Sequence, residues 1–196
     1  FVMQELKDRI VKEGKVLPGN IIKVDGFLNH RVDTELMDHI AEEFGKHFNM
    51  DEVSVILTAE ASGIALSTVI AQHFHKPMIF AKKAKSDNIE GGLYQSEIFS
   101  YTYKKKVTLI VAQEWLNSDD RVLIVDDFLA GGYTLQALIS IVESANAVVE
   151  GCGIVIEKGF QTGGQTIRNL GYHLESLAIV EGMNHETGEV FFRKQD

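Results

Sequence analysis

Residues 122–134 read Val122-Leu-Ile-Val-Asp126-Asp127-Phe128-Leu-Ala130-Gly131-Gly132-Tyr133-Thr134. The unbroken apolar run at 122–125 predicts a strand buried on both faces, as in a parallel sheet sandwiched between helices. Two adjacent acids follow at its C-terminal end, where open α/β sheets place their ligands. Successive strand residues point to opposite sides, so Asp126 and Asp127 do different jobs unless the chain is already turning there. The glycines that come next let the backbone curl so that its N–H groups converge. The helix expected over 135–142 adds a dipole that favours an anion, and the Thr134 hydroxyl adds a donor. Vicinal carboxylates beside an anion cradle suit a ligand whose hydroxyls lie close to a phosphate, such as ribose 5-phosphate. The stretch has neither the Gly-x4-Gly-Lys-Ser/Thr of a P-loop nor the Gly-x-Gly-x-x-Gly of a dinucleotide site.

The flanking sequence alternates between the two periods. Leu6, Ile10 and Val11 give helical spacing over 3–13, with Gly14 ending the run, and Leu36, Ile40, Ala41, Phe44 and Phe48 make one face of a helix after Asp33. Strands are expected at 53–57, 77–81, 122–125, 153–156, 177–180 and 190–192, and helices at 64–74 and 166–170. Two further β-like runs, 98–103 and 107–112, flank the basic turn Lys104-Lys105-Lys106 and read as a hairpin or arm. Strands separated by helices predict an α/β fold with a doubly wound parallel sheet. All 196 residues fit one domain, with residues 1–50 as an entry segment to the main body.

Composition narrows the function classes. The net charge of −9 argues against binding nucleic acid or an anionic membrane through a basic surface. The single Cys152 excludes an internal disulfide framework and a multi-cysteine zinc cluster. No apolar run approaches the roughly 18 residues of a membrane span. The N-terminal residues lack the charged-then-apolar layout of a secretory signal, so a cytoplasmic location is expected. The seven histidines show no metal-ligand spacing. A strand ending in Asp-Asp also occurs as a solvated strand end followed by a helix cap, and it is the glycine loop that favours a ribose phosphate instead. A receiver domain would place a phosphoacceptor Asp at the end of a later strand, and none of the later strands ends in Asp.

The segment VLIVDDFLAGGYT resembles the phosphoribosyl-diphosphate motif of type I phosphoribosyltransferases. The stretches IIKVDGFLNHRVD (21–33), TAEASGIAL (58–66), MIFAKKAK (78–85) and GIVIEKGFQ (153–161) extend the resemblance, in order, to the xanthine-using branch of that family. It implies transfer of ribose 5-phosphate from phosphoribosyl diphosphate to xanthine, giving xanthosine monophosphate and pyrophosphate in purine salvage. It implies the family fold, with a hood formed by residues 1–50, a mobile lid over 84–106, and a homodimer to which the entry segment contributes.

By position, Ala130, Gly131, Gly132, Tyr133 and Thr134 would bind the 5-phosphate, and Asp126 and Asp127 the ribose hydroxyls. Glu60, Ala61, Ser62, Gly63 and Ile64 match the pyrophosphate loop, with Lys82 or Lys83 facing the pyrophosphate. Ile22, Asn29 and Lys158 would form the purine pocket, Phe128 would lie against the purine face, and Phe160 would cover the mouth. Mg²⁺ would be held mainly by substrate oxygens and water.

Lys158 is a positive donor for a xanthine carbonyl, and adenine carries an amine at that place, so adenine should be rejected. The loop here reads Ala130-Gly-Gly-Tyr-Thr134, where the xanthine branch usually has Ala-Asn-Gly-x-Ala. Ala130 stands where hypoxanthine-guanine relatives carry an Asp, which favours xanthine and leaves no evident general base. The alternatives are a hypoxanthine- or guanine-preferring transferase and a non-catalytic sensor of phosphoribosyl diphosphate. A DNA-binding sensor needs a basic helix-turn-helix portion, and residues 1–50 are too short and too acidic to hold one with its linker.

Overall fold

Helix α1 (Gln4–Glu13) buries Leu6 and Ile10 and ends at Gly14, whose extended backbone donates its N–H back to the Ile10 carbonyl at 2.9 Å. In this computed structural model, which describes residues 3–84, 91–100 and 104–195, a short antiparallel hairpin follows: β1 (Lys15–Leu17) and β2 (Ile21–Lys23). Its turn is built on Pro18-Gly19-Asn20, and Gly19 and Asn20 take positive φ values of 86° and 60°. A helical turn at Asp25–Asn29 leads to α2 (Thr34–His47), capped by the Asp33 carboxylate, which accepts the Leu36 N–H at 3.1 Å.

The main sheet uses β3 (Val55–Ala59), β4 (Met78–Ala84), β5 (Leu93–Ser100), β6 (Lys105–Ala112), β7 (Arg121–Leu129), β8 (Val148–Lys158), β9 (Leu174–Asn184) and β10 (Glu189–Phe192). Helices α3 (Ser62–Phe74), α4 (Tyr133–Ser144) and α5 (Gly163–Asn169) lie between strands. Among the described residues the order is β10-β9-β8-β7-β3-β4-β6-β5. The five central strands are parallel, as the apolar runs require, while β10, β6 and β5 add antiparallel edges. The α/β doubly wound class is therefore observed, in a mixed sheet.

Two apolar layers cover the two faces. Leu123 and Val125 face a cluster with Leu6, Ile40 and Phe44 from the N-terminal helices, while Val122 and Ile124 face one with Leu138, Ile141 and Val142 of α4. That alternation changes phase across the two acids: Phe128 packs with the first cluster and Leu129 with the second. The chain is thus turning at Asp126-Asp127 while it still pairs with β8, Asp126 opposite Ile154 and Phe128 opposite Ile156.

The strands run past their apolar cores: β7 continues through the acids, and β8 extends over Val148–Lys158. Of the lid expected over 84–106, residues 85–90 and 101–103 lie outside the described residues. Its described part is sheet: β5 pairs along β6 from Leu93↔Ala112 to Ser100↔Lys105, and β6 pairs with β4. Lys105 and Lys106, expected in the turn, belong to β6. Ile98 and Tyr94 of β5 pack against the α4-side cluster, which joins the hairpin to the body. No helix among the described residues is long and apolar enough to cross a membrane.

Candidate active site

The chain leaves β3 to one side for β4 and returns on the other side of β3 as β7, so the sheet reverses its order between these two strands. Ligands of open α/β sheets bind at such a reversal, outside the carboxyl ends of the strands. Both relevant loops emerge there: residues 60–61 after β3, and residues 130–132 after β7.

Asp127 is the hub of the first loop. Its Oδ2 accepts the Asn29 side-chain amide at 3.0 Å and its Oδ1 accepts the Ser62 hydroxyl at 3.1 Å. The Phe128 N–H also donates to Oδ1, at 2.9 Å. Asp126 accepts the Asp127 N–H at 2.9 Å. Both acids are buried, and Asp126 is pushed well above the usual carboxylate range, first by burial and then by the neighbouring Asp127 charge. The Lys83 charge opposes that shift. The surroundings are therefore asymmetric: burial favours the protonated form of Asp126, while Asp127 gathers the donors.

Gly63 is required by close approach. A Cβ there would lie 2.0 Å from the Thr58 hydroxyl and 3.3 Å from Asp126 Oδ1. The Glu60–Ala61 peptide is cis, and Glu60 accepts the Lys83 main-chain N–H. Of the two lysines singled out in the sequence, Lys83 is the one whose charge acts on Asp126. Lys82 lies 5.9 Å from the Phe80 ring centroid and lines a separate apolar groove.

The second loop forms a cleft of about 860 Å³, whose walls include Phe128, all of Ala130, Gly131, Gly132, Tyr133 and Thr134, and Lys158. Gly132 has φ 84°, and the N-terminus of the twelve-residue α4 begins immediately after it. Lys158 donates to the Asn20 carbonyl at 3.3 Å, with its ammonium 5.8 Å from the Phe128 ring centroid. Burial lowers its pKa. The cleft is closed on one side by Gly19, Asn20 and Ile21 at the tip of the β1–β2 hairpin, and on another by Ile98 and Phe99 of β5.

Ile22, expected in the purine pocket, has its side chain buried in the core, while Ile21, its neighbour along β2, lines the cleft. Phe160 is partly exposed and is not on the cleft wall, where Gln161 and Thr162 stand. Asn29 meets the site through Asp127.

The sequence reading passed over the hairpin tip and residues 161–163. A signal for the first was present: Pro-Gly-Asn between two short β-branched runs is hairpin chemistry. Glycine doublets such as Gly163-Gly164 carry too little information alone to be assigned a neighbour.

Residues 29–170 match the phosphoribosyl transferase domain model. A xanthine phosphoribosyltransferase of Lachnoclostridium phytofermentans is 55% identical over 97% of this chain and 98% of that protein. One from Bifidobacterium animalis subsp. lactis is 52% identical over 97% of this chain and all of that protein. Among solved structures, an adenine phosphoribosyltransferase from Giardia lamblia with 9-deazaadenine superposes with a TM-score of 0.74 at 22% identity, covering 90% of this chain and 98% of that one. At that identity the likeness establishes the shared fold.

Proposed function

The chain belongs to the phosphoribosyl transferase domain family, and from that premise we propose that it converts xanthine and phosphoribosyl diphosphate to xanthosine 5'-monophosphate and pyrophosphate. The observation that carries this reading is the convergence on Asp127. One carboxylate touches Asn29 of the proposed base pocket and Ser62 of the proposed pyrophosphate loop. A ribose clamped by Asp127 would then have its base on one side and its leaving group on the other. The relatives named for xanthine, at more than half identity over nearly the whole chain, support the choice of base.

In the proposed reaction the bond from ribose C1 to the pyrophosphate oxygen breaks first, the electron pair leaving with pyrophosphate. A purine nitrogen then bonds to C1. The main-chain N–H groups of residues 130–134 and the α4 N-terminus hold the 5-phosphate. Asp127 accepts from a ribose hydroxyl, and Asp126, drawn towards its protonated form by burial, limits the repulsion that two adjacent carboxylates would impose. Residues 60–64 and the Lys83 charge receive the departing pyrophosphate. The Lys158 ammonium gives up the Asn20 carbonyl for a xanthine carbonyl, and Phe128 lies against the ring. Xanthine loses a proton readily, so the side chain of Ala130 need not supply a base.

Mg²⁺ prefers oxygen ligands and retains water, so it would be held here mainly by the oxygens of the substrate, beside the carboxylate oxygens of Asp127. When bound, that ion would neutralise charge on the diphosphate. Leu6 and Ile40 of the N-terminal helices share one apolar layer with Leu123 of β7, Val155 of β8 and Leu177 of β9, so residues 1–196 are read as one catalytic domain. Its proposed place of work is the cytoplasm, and its proposed assembly a homodimer. The surface offered for the dimer is an apolar groove of about 650 Å³ between β4, β6 and β5, lined by Pro77, Phe80, Ile110 and Trp115.

Pyrophosphate release from phosphoribosyl diphosphate and Mg²⁺ with xanthine, guanine, hypoxanthine and adenine separately tests the function. Release with xanthine should far exceed the rest. A preference for guanine or hypoxanthine would retain the transferase chemistry and overturn the assignment of Lys158 and Asn29 to a xanthine pocket. No release with any base would overturn the enzyme reading.

A further inference from the structure

Glu157 is a carboxylate only 2% exposed, next to the C-terminal end of β8 after the apolar run Ile154–Ile156, and no step of the proposed reaction uses it. Its two oxygens are fully engaged. Arg168 of α5 grips it with both terminal nitrogens, Nη2 to Oε1 at 2.9 Å and Nη1 to Oε2 at 3.0 Å. The Ser176 hydroxyl of β9 donates to Oε1 at 2.7 Å. Glu157 is buried while the Arg168 side chain is 35% exposed, and a pair so placed is a poor source of stability, because desolvation of the carboxylate offsets most of the attraction. What such a pair supplies is geometry: a planar fork against a carboxylate permits one separation and one orientation.

The element held in this way is the back wall of the phosphate loop. The first two residues of α5 are Gly163 and Gly164. A Cβ on Gly164 would lie 2.4 Å from Glu157 Oε2, and one on Gly163 would lie 2.4 Å from the Ala130 carbonyl and 2.6 Å from the Gly132 nitrogen. The Gly163 N–H donates to that Ala130 carbonyl at 3.0 Å. Two consecutive glycines thus let α5 sit against the ion pair on one side and against the loop backbone on the other. Glu157 is also the β8 partner of Leu129, the residue that enters the loop.

We propose that the Glu157–Arg168 pair is a positioning brace for the 5-phosphate subsite: it fixes α5, and α5 fixes the curl of residues 130–132 from behind. Glu157 and Arg168 are positioning residues here, and act only through the loop. The inference rests on the phosphoribosyl reading of the site and adds to it a residue pair outside the ligand-binding motif. It makes the 5-phosphate and pyrophosphate subsites separable, because residues 60–63 are held by β3, Lys83 and Asp127, none of which touches the brace.

Calorimetric titration of the full chain with ribose 5-phosphate, and separately with Mg²⁺-pyrophosphate, tests this in wild type, Arg168→Lys and Glu157→Gln. Lysine keeps the charge and loses the fork, and glutamine keeps the shape and loses the charge. In both variants the Kd for ribose 5-phosphate should rise about tenfold, the scale on which sub-ångström misplacement is felt, with the Kd for pyrophosphate within about twofold. The KM for phosphoribosyl diphosphate should rise with it while the KM for xanthine holds. Equal loss for both ligands with a lower Tm, or no change for either, overturns the brace. If Arg168→Lys does not fold, the isosteric Glu157→Gln decides by the same ratio. Wild-type protein that binds neither ligand overturns the phosphoribosyl reading, and the brace with it.

Discussion

Asp126 and Asp127 are adjacent and chemically identical, yet their surroundings give them opposite tasks. Asp127 receives three donors, from Asn29, Ser62 and the Phe128 amide, while Asp126 is raised by burial and by Asp127 itself. Removing the charge should therefore act differently at each. Asp127→Asn turns a charge-assisted acceptor for the ribose hydroxyl into a neutral amide, and should lower kcat/KM by about tenfold to a hundredfold, matching roughly 1.5–3 kcal/mol per such bond. Turnover within a few-fold of wild type would show that Asp127 is not the ribose clamp.

Asp126→Asn should instead raise Tm near neutral pH. The folded pKa of Asp126 lies above its unfolded value, so its favourable contribution is complete below the unfolded pKa and is lost as pH rises through the folded one. The amide has no such loss, and the Tm gain over wild type should shrink as pH falls towards the ordinary carboxylate range near about pH 4. Melting curves across that range check it, and a pH-independent difference would contradict the asymmetry.

At the scale of elements, the site is made where β3, β7 and β8 hand over to their following loops. The β3–α3 junction tolerates only glycine at 63, where an added methyl would meet the Thr58 hydroxyl at 2.0 Å from its Cβ. Gly63→Ala should destabilise the fold by about 1–3 kcal/mol, the usual range for overpacking, and displace Ser62 from Asp127. Chemical denaturation reads the first effect and the KM for phosphoribosyl diphosphate the second. A fully stable, fully active variant would mean that this junction is looser than the packing shows.

Helices were legible in the sequence at this scale, because Leu36, Ile40 and Phe44 repeat at helical spacing and Asp33 caps them. Strand ends were not. The apolar signal stops at Val125, while the backbone of β7 goes on pairing to Leu129, since main-chain hydrogen bonds ignore side-chain polarity. The β1–β2 hairpin escaped for a related reason: three-residue strands such as Lys15–Leu17 are too short to show a period.

For the whole molecule, the β4–β6–β5 edge presents an apolar groove, with Trp115 66% exposed and Phe80 also at the surface. A patch of that character is the expected face of a protein interface. Trp115→Glu should shift a dimer towards monomer in light scattering, while leaving the monomer folded by circular dichroism. A wild-type chain that is monomeric at all concentrations, or a variant that remains dimeric, removes this groove from the assembly.

What the sequence by itself determined was the local chemistry: a buried strand ending in two acids, a glycine cradle running into a helix, and the order of strands and helices around them. These follow from properties that each residue carries with it, namely polarity, backbone freedom and periodicity over a few neighbours. Only the tertiary structure decided which distant residues meet. Asn29 and Ser62 reach Asp127 across 98 and 65 residues, Asn20 reaches Lys158 across 138, and Arg168 closes on Glu157. It also decided that the Ile21 side chain faces the cleft while that of Ile22 enters the core, and that the Lys83 charge acts on Asp126. Those choices depend on sheet order and on the phase of each strand relative to its neighbours, and both are set when the two apolar layers close over the sheet.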